Sequence, residues 1–472
     1  MLLEGGNLTK PVSGIVLIRS PAANQMMVWD IEPLIASIRN TAACHAVIEH
    51  WTELNNPSTV RNLRQRKHNK EKINQIVTNK ATITASPIQL PSTECRCTGE
   101  DREIGLTQGS SLRPKIVELR ERMRELEAFR LEQAKWLPYP MFLSYAEWKS
   151  KRALCPALRE SASGMLDRVQ GIAVGAQCSL GSICLMNAME AFLGSCEKRT
   201  VSAPLGACSA LAVRGSRSSS GEPIVAKNFD YIPLVQPFYI LRETRPRTGL
   251  RSLDFAVAPQ AGTIDGVNER GLCITLNYAF LFDSGQPAPL ITMLIAEALA
   301  QCSNVSEAIS HIERRSRWGT GILMLADTDG DIASLELSPS KAAVRRPGQG
   351  EDWLAFTNVC RSPEICALQV PETAVFSGKV PASLQGEPVL QPHINRARRI
   401  EDLVRAHRSL DVNDIAKVMA DHGPNGLPGK ASPCVHADYW RTTAALQWLP
   451  RKRGVRAWYG SACTAKYVEL GL

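Results

Sequence analysis

The stretch that decides the reading runs Gly206-Ala-Cys-Ser-Ala-Leu-Ala-Val213, then Arg214-Gly-Ser-Arg-Ser-Ser-Ser-Gly-Glu222, then Pro223-Ile-Val-Ala-Lys-Asn-Phe-Asp-Tyr231. Two short apolar runs flank a Ser/Arg/Gly cluster, which is the pattern of a β-hairpin. Cys208 stands at the start of the first run, and the Lys227-Asn-Phe-Asp230 cluster closes the second. In an antiparallel pair the start of one strand lies beside the end of the next. A nucleophile, a carboxylate and a cation are therefore expected at one edge of a sheet.

A cysteine thiol is mostly protonated near neutral pH and needs a base to become a strong nucleophile. The chain has eight histidines, and the sequence does not show whether one approaches Cys208. A second solution uses the α-amine of the cysteine itself, whose pKa of about 8 suits a base at neutral pH. That requires cleavage of the Ala207–Cys208 bond, and the small residues Gly206 and Ala207 leave room for it. On spacing alone, Cys208 also reads as a buried structural cysteine.

Outward from the hairpin, the pattern is one of alternating helices and strands. On the N-terminal side, Ile116, Leu119, Met123 and Leu126 recur at helical spacing. Further helices are expected over 162–174 and 183–193. On the C-terminal side, strands are expected at 253–257 and, around the Asn268-Glu-Arg-Gly271 turn, over 263–280. Helices at 290–300 and 305–312 follow, then a hairpin over 322–337. Its turn, Asp327-Thr-Asp-Gly-Asp331, begins like a calcium loop but lacks the closing glutamate, so it reads as a plain turn. A strand at 353–358 ends in an asparagine. Helices at 396–405 and 412–421 precede closing strands at 442–449 and 455–459. Periodicity alone gives an α+β class; the order suggests two stacked antiparallel sheets covered by helices, a four-layer αββα sandwich.

The 472-residue chain is 44% hydrophobic, enough for a sizeable core, and has no run of about 20 apolar residues that would span a membrane. Its start lacks the pattern of a secretory signal, so a cytoplasmic location is expected. The net charge of +9, from 55 basic and 46 acidic side chains, is modest and spread out, so no nucleic-acid partner is expected. The 14 cysteines include no paired CxxC sets, which argues against a zinc ribbon; Cys95 and Cys97 form a lone CxC, most of the others read as small buried hydrophobes, and only Cys208 has surroundings that suggest chemistry. Residues 1–104, with a basic run from Arg61 to Lys72, form an extension expected to be weakly ordered.

Several motifs recur in a fixed order: Cys208-Ser-Ala-Leu-Ala-Val, Pro223-Ile-Val-Ala-Lys-Asn-Phe-Asp-Tyr231, Asp265-Gly-Val-Asn-Glu-Arg-Gly-Leu272 and Leu276-Asn-Tyr278. They are followed by Thr357-Asn358, Ser432-Pro-Cys-Val-His436, Arg441-Thr-Thr-Ala444 and Tyr459-Gly-Ser-Ala-Cys463. Upstream stand Gly171-Ile-Ala-Val-Gly-Ala176 and Leu185-Met-Asn-Ala-Met-Glu190. Over roughly Arg113 to Leu470 the chain resembles the N-terminal-nucleophile hydrolases of the acyl-CoA:6-aminopenicillanic acid acyltransferase type. It is more distantly similar to choloylglycine hydrolases and penicillin V acylases.

The resemblance implies an αββα fold and self-cleavage before Cys208. That would divide the folded part into a mainly helical pre-nucleophile segment, 105–207, and a catalytic region, 208–472, which stay associated. It implies that Cys208 is both nucleophile and, through its freed amine, base, and that Asp230 holds that amine. Asn277 and Asn358 would stabilise an oxyanion or orient the nucleophile. Lys227 stands where the bile-salt branch has arginine, a point charge in place of a planar fork. Arg396 corresponds to an arginine of the distant branch, with Arg398 and Arg399 competing for the position. The chain departs from the family in having Ala207 where the acyltransferase has glycine, and in its long N-terminal extension.

The implied partners are a small acyl donor, an amide or acyl-CoA, and an amine acceptor; no cofactor or metal is required. Two rival readings stay open: an uncleaved thiol hydrolase with His436 as base, and a non-enzymatic basic binding protein.

Overall fold

The computed structural model describes residues 15–19, 26–30, 95–196, 204–283 and 285–472. The chain divides into two units, Met1–Ala85 and Ser86–Leu472. In the first, β1 (Ile15–Arg19) pairs antiparallel with β2 (Met26–Asp30). The basic run from Arg61 to Lys72 lies outside the described residues.

The second unit opens with β3 (Cys95–Gly99) and a series of helices: α1 (Asp101–Ser111), α2 (Arg113–Arg122), α3 (Tyr139–Ser161), α4 (Ser163–Ala176), α5 (Leu180–Asn187) and α6 (Met189–Cys196). The decisive hairpin follows as β4 (Gly206–Val213) and β5 (Ile224–Tyr231), in a register that sets Ala207 opposite Asp230 and Cys208 opposite Phe229. Next come β6 (Tyr239–Pro246), β7 (Ser252–Val257), β8 (Asp265–Asn268) and β9 (Cys273–Tyr278), then α7 (Ile291–Gln301) and α8 (Val305–Glu313). The chain continues through β10 (Gly321–Ala326), β11 (Ile332–Leu337), β12 (Ala342–Arg345) and β13 (Trp353–Phe356) to α9 (Gln391–Arg405) and α10 (Val412–Met419). It closes with β14 (Arg441–Leu449), β15 (Gly454–Trp458) and β16 (Tyr467–Gly471).

Two sheets result, an eight-stranded one in the order β12-β11-β10-β9-β8-β7-β6-β3 and a six-stranded one in the order β13-β4-β5-β14-β15-β16. Alternation along the strands assigns their faces. On β10, Ile322, Met324 and Ala326 join the core between the sheets, while Leu323 and Leu325 pack under α7 and α8. On β4, Cys208, Ala210 and Ala212 face the inter-sheet core, while Leu211 and Val213 pack under α9 and α10. The layers are therefore helix, sheet, sheet, helix, the expected αββα sandwich.

Three expectations need correction. The larger sheet is not wholly antiparallel, because β3 pairs parallel with β6 at its edge. The folded unit also begins before residue 105, since β3 and the first turn of α1 precede that boundary. The helix expected over 183–193 is two helices, α5 and α6, broken at Ala188.

Helix α1 exists through its packing. Gly105 and Gly109 of α1 meet Gly171 and Gly175 of α4 so closely that a Cβ on any of the four would stand 2.1–2.4 Å from a backbone oxygen of the other helix. Gln108 anchors the pair to the larger sheet, donating to the Ala258 carbonyl and accepting from Arg242.

A side chain forced into that crossing must push the helices apart, whereas Gly194 on α6 has open space around its missing Cβ. Gly171→Val is expected to destabilise the unit by about 1–3 kcal/mol through overpacking. Gly194→Ala is expected to be neutral or to stabilise by up to about 1 kcal/mol through helix propensity. Urea midpoints of the two variants check both.

Candidate active site

The hairpin puts residues of opposite role on opposite faces of one sheet. Cys208 and Lys227 point between the sheets, while Ser209, Asn228 and Asp230 point toward the helix layer. The side chains around Cys208 therefore form two connected groups, one on each face.

On the helix face, Arg396 of α9 is buried and pairs with the Asp230 carboxylate. It also donates to Ser209 Oγ at 3.2 Å and to Asn358 Oδ1 at 3.2 Å, and contacts His393 Nδ1. The second oxygen of Asp230 accepts from the Thr442 hydroxyl at 2.6 Å. Burial pushes the Asp230 carboxyl up, to about 6, against the pull of Arg396 and Thr442. Arg399 pairs instead with Asp421, and Arg398 is exposed, so of the three competing arginines only Arg396 joins this group.

Asn358 joins this group to Cys208. Its Oδ1 accepts from the Cys208 backbone nitrogen at 2.9 Å, and its Nδ2 donates to the Tyr278 carbonyl at 2.8 Å. The Cys208 nitrogen is thus held by Asn358, and Asp230 connects to it through Arg396. Asn277, at the end of β9, donates to the Thr357 carbonyl at 2.8 Å. Its Oδ1 is buried and accepts no hydrogen bond from the described residues.

On the inner face, the Lys227 ammonium is fully buried. It pairs with Asp265 at 2.6 Å, donates to the Leu276 carbonyl and lies 5.2 Å from the Phe229 ring centre. Burial pushes the Cys208 thiol up to about 12, while the Lys227 charge pulls it down. The Asp230 backbone N–H also pulls it down.

Cys208 opens onto a cavity of about 250 Å³. Phe280, Leu281, Leu290 and Trp318 give it an apolar side, and residues 186–190 form another wall. Glu190, packed among protein atoms yet open to the cavity, has its carboxyl pushed up to about 7 by desolvation. Tyr231 reaches it at 3.5 Å. No histidine lines this cavity among the described residues; His436 sits instead beside Cys434 and Cys463.

Sequence patterning does not single out His393, Thr442, Asp265 or Glu190 as site residues. His393 could have been found, since it lies one helical turn before Arg396 and therefore on its face. Thr442 and Asp265 carry no comparable local signal, because sheet pairing and sheet stacking bring them in.

Two facing sheets between helix layers form a four-layer αββα sandwich, with Cys208 near the start of an inner strand and its backbone nitrogen held by Asn358. Residues 216–424 match the model of the acyl-coenzyme A:6-aminopenicillanic acid acyl-transferase family. The segment takes in Lys227, Asp230, Asn277, Asn358 and Arg396, and begins after Cys208.

No curated protein matches the chain. Among solved structures, it is similar to the N-acylethanolamine-hydrolyzing acid amidase ortholog of Caenorhabditis elegans (14% identity, 52% of this chain and 93% of that one, TM-score 0.34). It is also similar to a mutant of the conjugated bile acid hydrolase of Clostridium perfringens (14%, 56% and 92%, 0.36) and to penicillin V acylase of Agrobacterium tumefaciens (16%, 56% and 86%, 0.36). Among the described residues, no helix is long and apolar enough to cross a membrane.

The Lys227–Asp265 pair makes a stability prediction. Lys227→Met strands Asp265 as a buried unpaired charge and is expected to destabilise by about 3–5 kcal/mol. Lys227→Met with Asp265→Leu removes both charges and should recover most of that loss. A double-mutant cycle on urea midpoints measures the coupling.

Proposed function

We propose that this chain is a cysteine N-terminal-nucleophile enzyme that cleaves its own Ala207–Cys208 bond and then hydrolyses or transfers an acyl group through a Cys208 acyl-enzyme. The observation that carries the reading is the seating of Cys208. Its nitrogen is held by Asn358, its sulfur faces the apolar cavity, and its neighbour Asp230 is clamped by Arg396 and Thr442.

In the precursor, the Cys208 sulfur attacks the Ala207 carbonyl carbon. The C–N bond breaks, the nitrogen takes the thiol proton, and a thioester links Ala207 to the sulfur. Water then cleaves the thioester, leaving a carboxyl group on Ala207 and a free thiol and α-amine on Cys208. In the mature enzyme the α-amine accepts the thiol proton, and the thiolate attacks the acyl donor. The amide nitrogen of Asn277 has a second hydrogen to offer the oxyanion, and a donor of this kind is worth about 3 kcal/mol in the transition state. The Cys208 ammonium returns its proton to the departing amine or thiol. Water resolves the acyl-enzyme in hydrolysis, and an amine resolves it in transfer.

Asn358 holds the amine, and Asp230 fixes Asn358 through Arg396. The apolar side of the cavity suits the acyl chain of a small linear amide or thioester. Because residues 186–190 wall the cavity and β3 pairs with β6, the fragment upstream of the cut is expected to stay bound to the larger one. The rival reading with His436 as base has no support at the cavity, where no histidine appears among the described residues.

Intact-mass analysis with N-terminal sequencing tests cleavage directly. Two co-purifying fragments, the larger beginning at Cys208, are expected from the native chain, and a single chain from Cys208→Ala. An uncut chain that turns over amides at full rate would remove the proposal. Asn277→Ala is expected to lower kcat by about 10²–10³-fold if its amide faces the oxyanion.

The pH profile tests Asp230. Its carboxylate is lost on acidification, so kcat/KM should fall as pH drops through about 6. Thr442→Val removes a hydrogen bond to the ionised form and raises that pKa. The acid limb should therefore move toward neutral pH; a limb that stays in place assigns the titration to another group.

A further inference from the structure

Away from the cavity, four side chains from three loops converge. His422 follows α10, Cys434 and His436 precede β14, and Cys463 lies between β15 and β16. One potential ligand atom from each lies within 4.8 Å of all the others. Cys434 Sγ is 3.1 Å from His436 Nε2 and 3.6 Å from Cys463 Sγ, which is itself 3.5 Å from His436 Nε2. The His422 ring stands edge-on to that of His436, with centroids 5.1 Å apart, and its buried Nε2 has no hydrogen-bond partner among the described residues.

The separations among Cys434, His436 and Cys463, 3.1–3.6 Å, are close to those of ligands on a tetrahedral ion, and His422 stands within 4.8 Å to supply the fourth. Zinc bound at about 2.3 Å to sulfur and about 2.0 Å to nitrogen sets its ligand atoms roughly 3.3–3.8 Å apart. A disulfide would instead bring the two sulfurs to about 2.05 Å. Ordinary hydrogen bonding within the cluster accounts for three of its members and leaves the His422 nitrogen without a partner.

We propose that His422, Cys434, His436 and Cys463 bind a structural zinc ion. Two thiols release their protons on binding, so two thiolates and two neutral imidazoles balance the charge of Zn²⁺ in a site that is partly buried. A mixed sulfur and nitrogen donor set selects zinc over magnesium or calcium, and four protein ligands leave no open position for catalysis. The sequence carries no CxxC because the ligands come from separate loops, with Cys434 and Cys463 29 residues apart.

The ion would clip these loops behind the active site. The Cys434 backbone nitrogen donates to the Asp421 carbonyl at 3.1 Å, next to His422. The Val435 nitrogen donates to Thr442 Oγ1 at 2.9 Å, and the Thr442 nitrogen donates to the Val435 carbonyl at 2.8 Å. Thr442 in turn donates to Asp230. The clip thus fixes the segment that places Thr442 without touching the cavity.

The test uses the full chain, purified under reducing conditions from zinc-supplemented culture and passed through a desalting column. Elemental analysis should find about one zinc ion per chain, and His422→Ala or Cys463→Ser should lower retention after brief dialysis against a chelator by at least tenfold. Replacing zinc with Co²⁺ should give an intense tetrahedral visible spectrum and a thiolate charge-transfer band in the native chain. The band should weaken in Cys463→Ser. If that variant does not fold, the cobalt spectrum of the native chain still decides the question. A chelator should lower the Tm of the native chain by several degrees. A folded chain with no zinc, no cobalt spectrum and no chelator effect overturns the proposal. So does an intact mass showing a Cys434–Cys463 disulfide.

Discussion

A strand can carry two buried charges only if each meets its counter-charge, and β5 carries two. Lys227 and Asp230 are three residues apart, so the pleat sends them to opposite faces. Lys227 meets Asp265 from the other sheet, and Asp230 meets Arg396 from the outer helix layer. Removing an ion from water costs several kcal/mol, and a well-placed partner offsets that cost. The hairpin can therefore sit where it does only if both the facing sheet and helix α9 are correctly placed. The same two pairs bracket Cys208, so the architecture that keeps these charges tolerable also sets the surroundings of the sulfur.

Much of this is legible in the amino-acid order alone. The hairpin over 206–231, the helices at 291–301 and 305–313, and the hairpin around Asp327–Asp331 follow from period-two and period-3.6 patterns with clear turn residues. What escapes is structure maintained by distant contacts. Helix α1 contains Gly105, Gly109, Ser110 and Ser111, all poor or middling helix formers, and holds its form because those glycines let α4 approach. Helix α3 runs through Pro156, which removes a backbone donor in its interior. Strand β3 is a five-residue edge strand placed by parallel pairing with β6 and by burial of Cys95 and Cys97.

The site divides along the same line. Cys208, Asp230 and Arg396 could be named from motifs, and of the three arginines it is Arg396 whose helix face meets Asp230. The pairing of Thr442 with Asp230 depends on β14 lying beside β5, with a bulge between Thr442 and Ala444, and no short-range pattern encodes it. Asp265 stands in a quoted motif, yet its partner Lys227 lies 38 residues away on the other sheet. Glu190 is the extreme case, because it faces the cavity from a segment upstream of the hairpin altogether.

The buried thiol also explains why cleavage matters to the proposed chemistry. With the peptide intact, the Cys208 nitrogen is an amide that accepts no proton, and desolvation keeps the thiol pushed up to about 12. The Lys227 ammonium alone does not overcome this, because Asp265 neutralises much of its field. Cutting the bond would replace a neutral amide by a basic amine on the same residue, adding a proton acceptor and, once protonated, a cation within one residue of the sulfur. A nearby positive charge favours the thiolate. Under this mechanism the uncut chain holds its nucleophile in a fixed but silent form, and the change that activates it is confined to the atoms of Cys208 and its scissile bond.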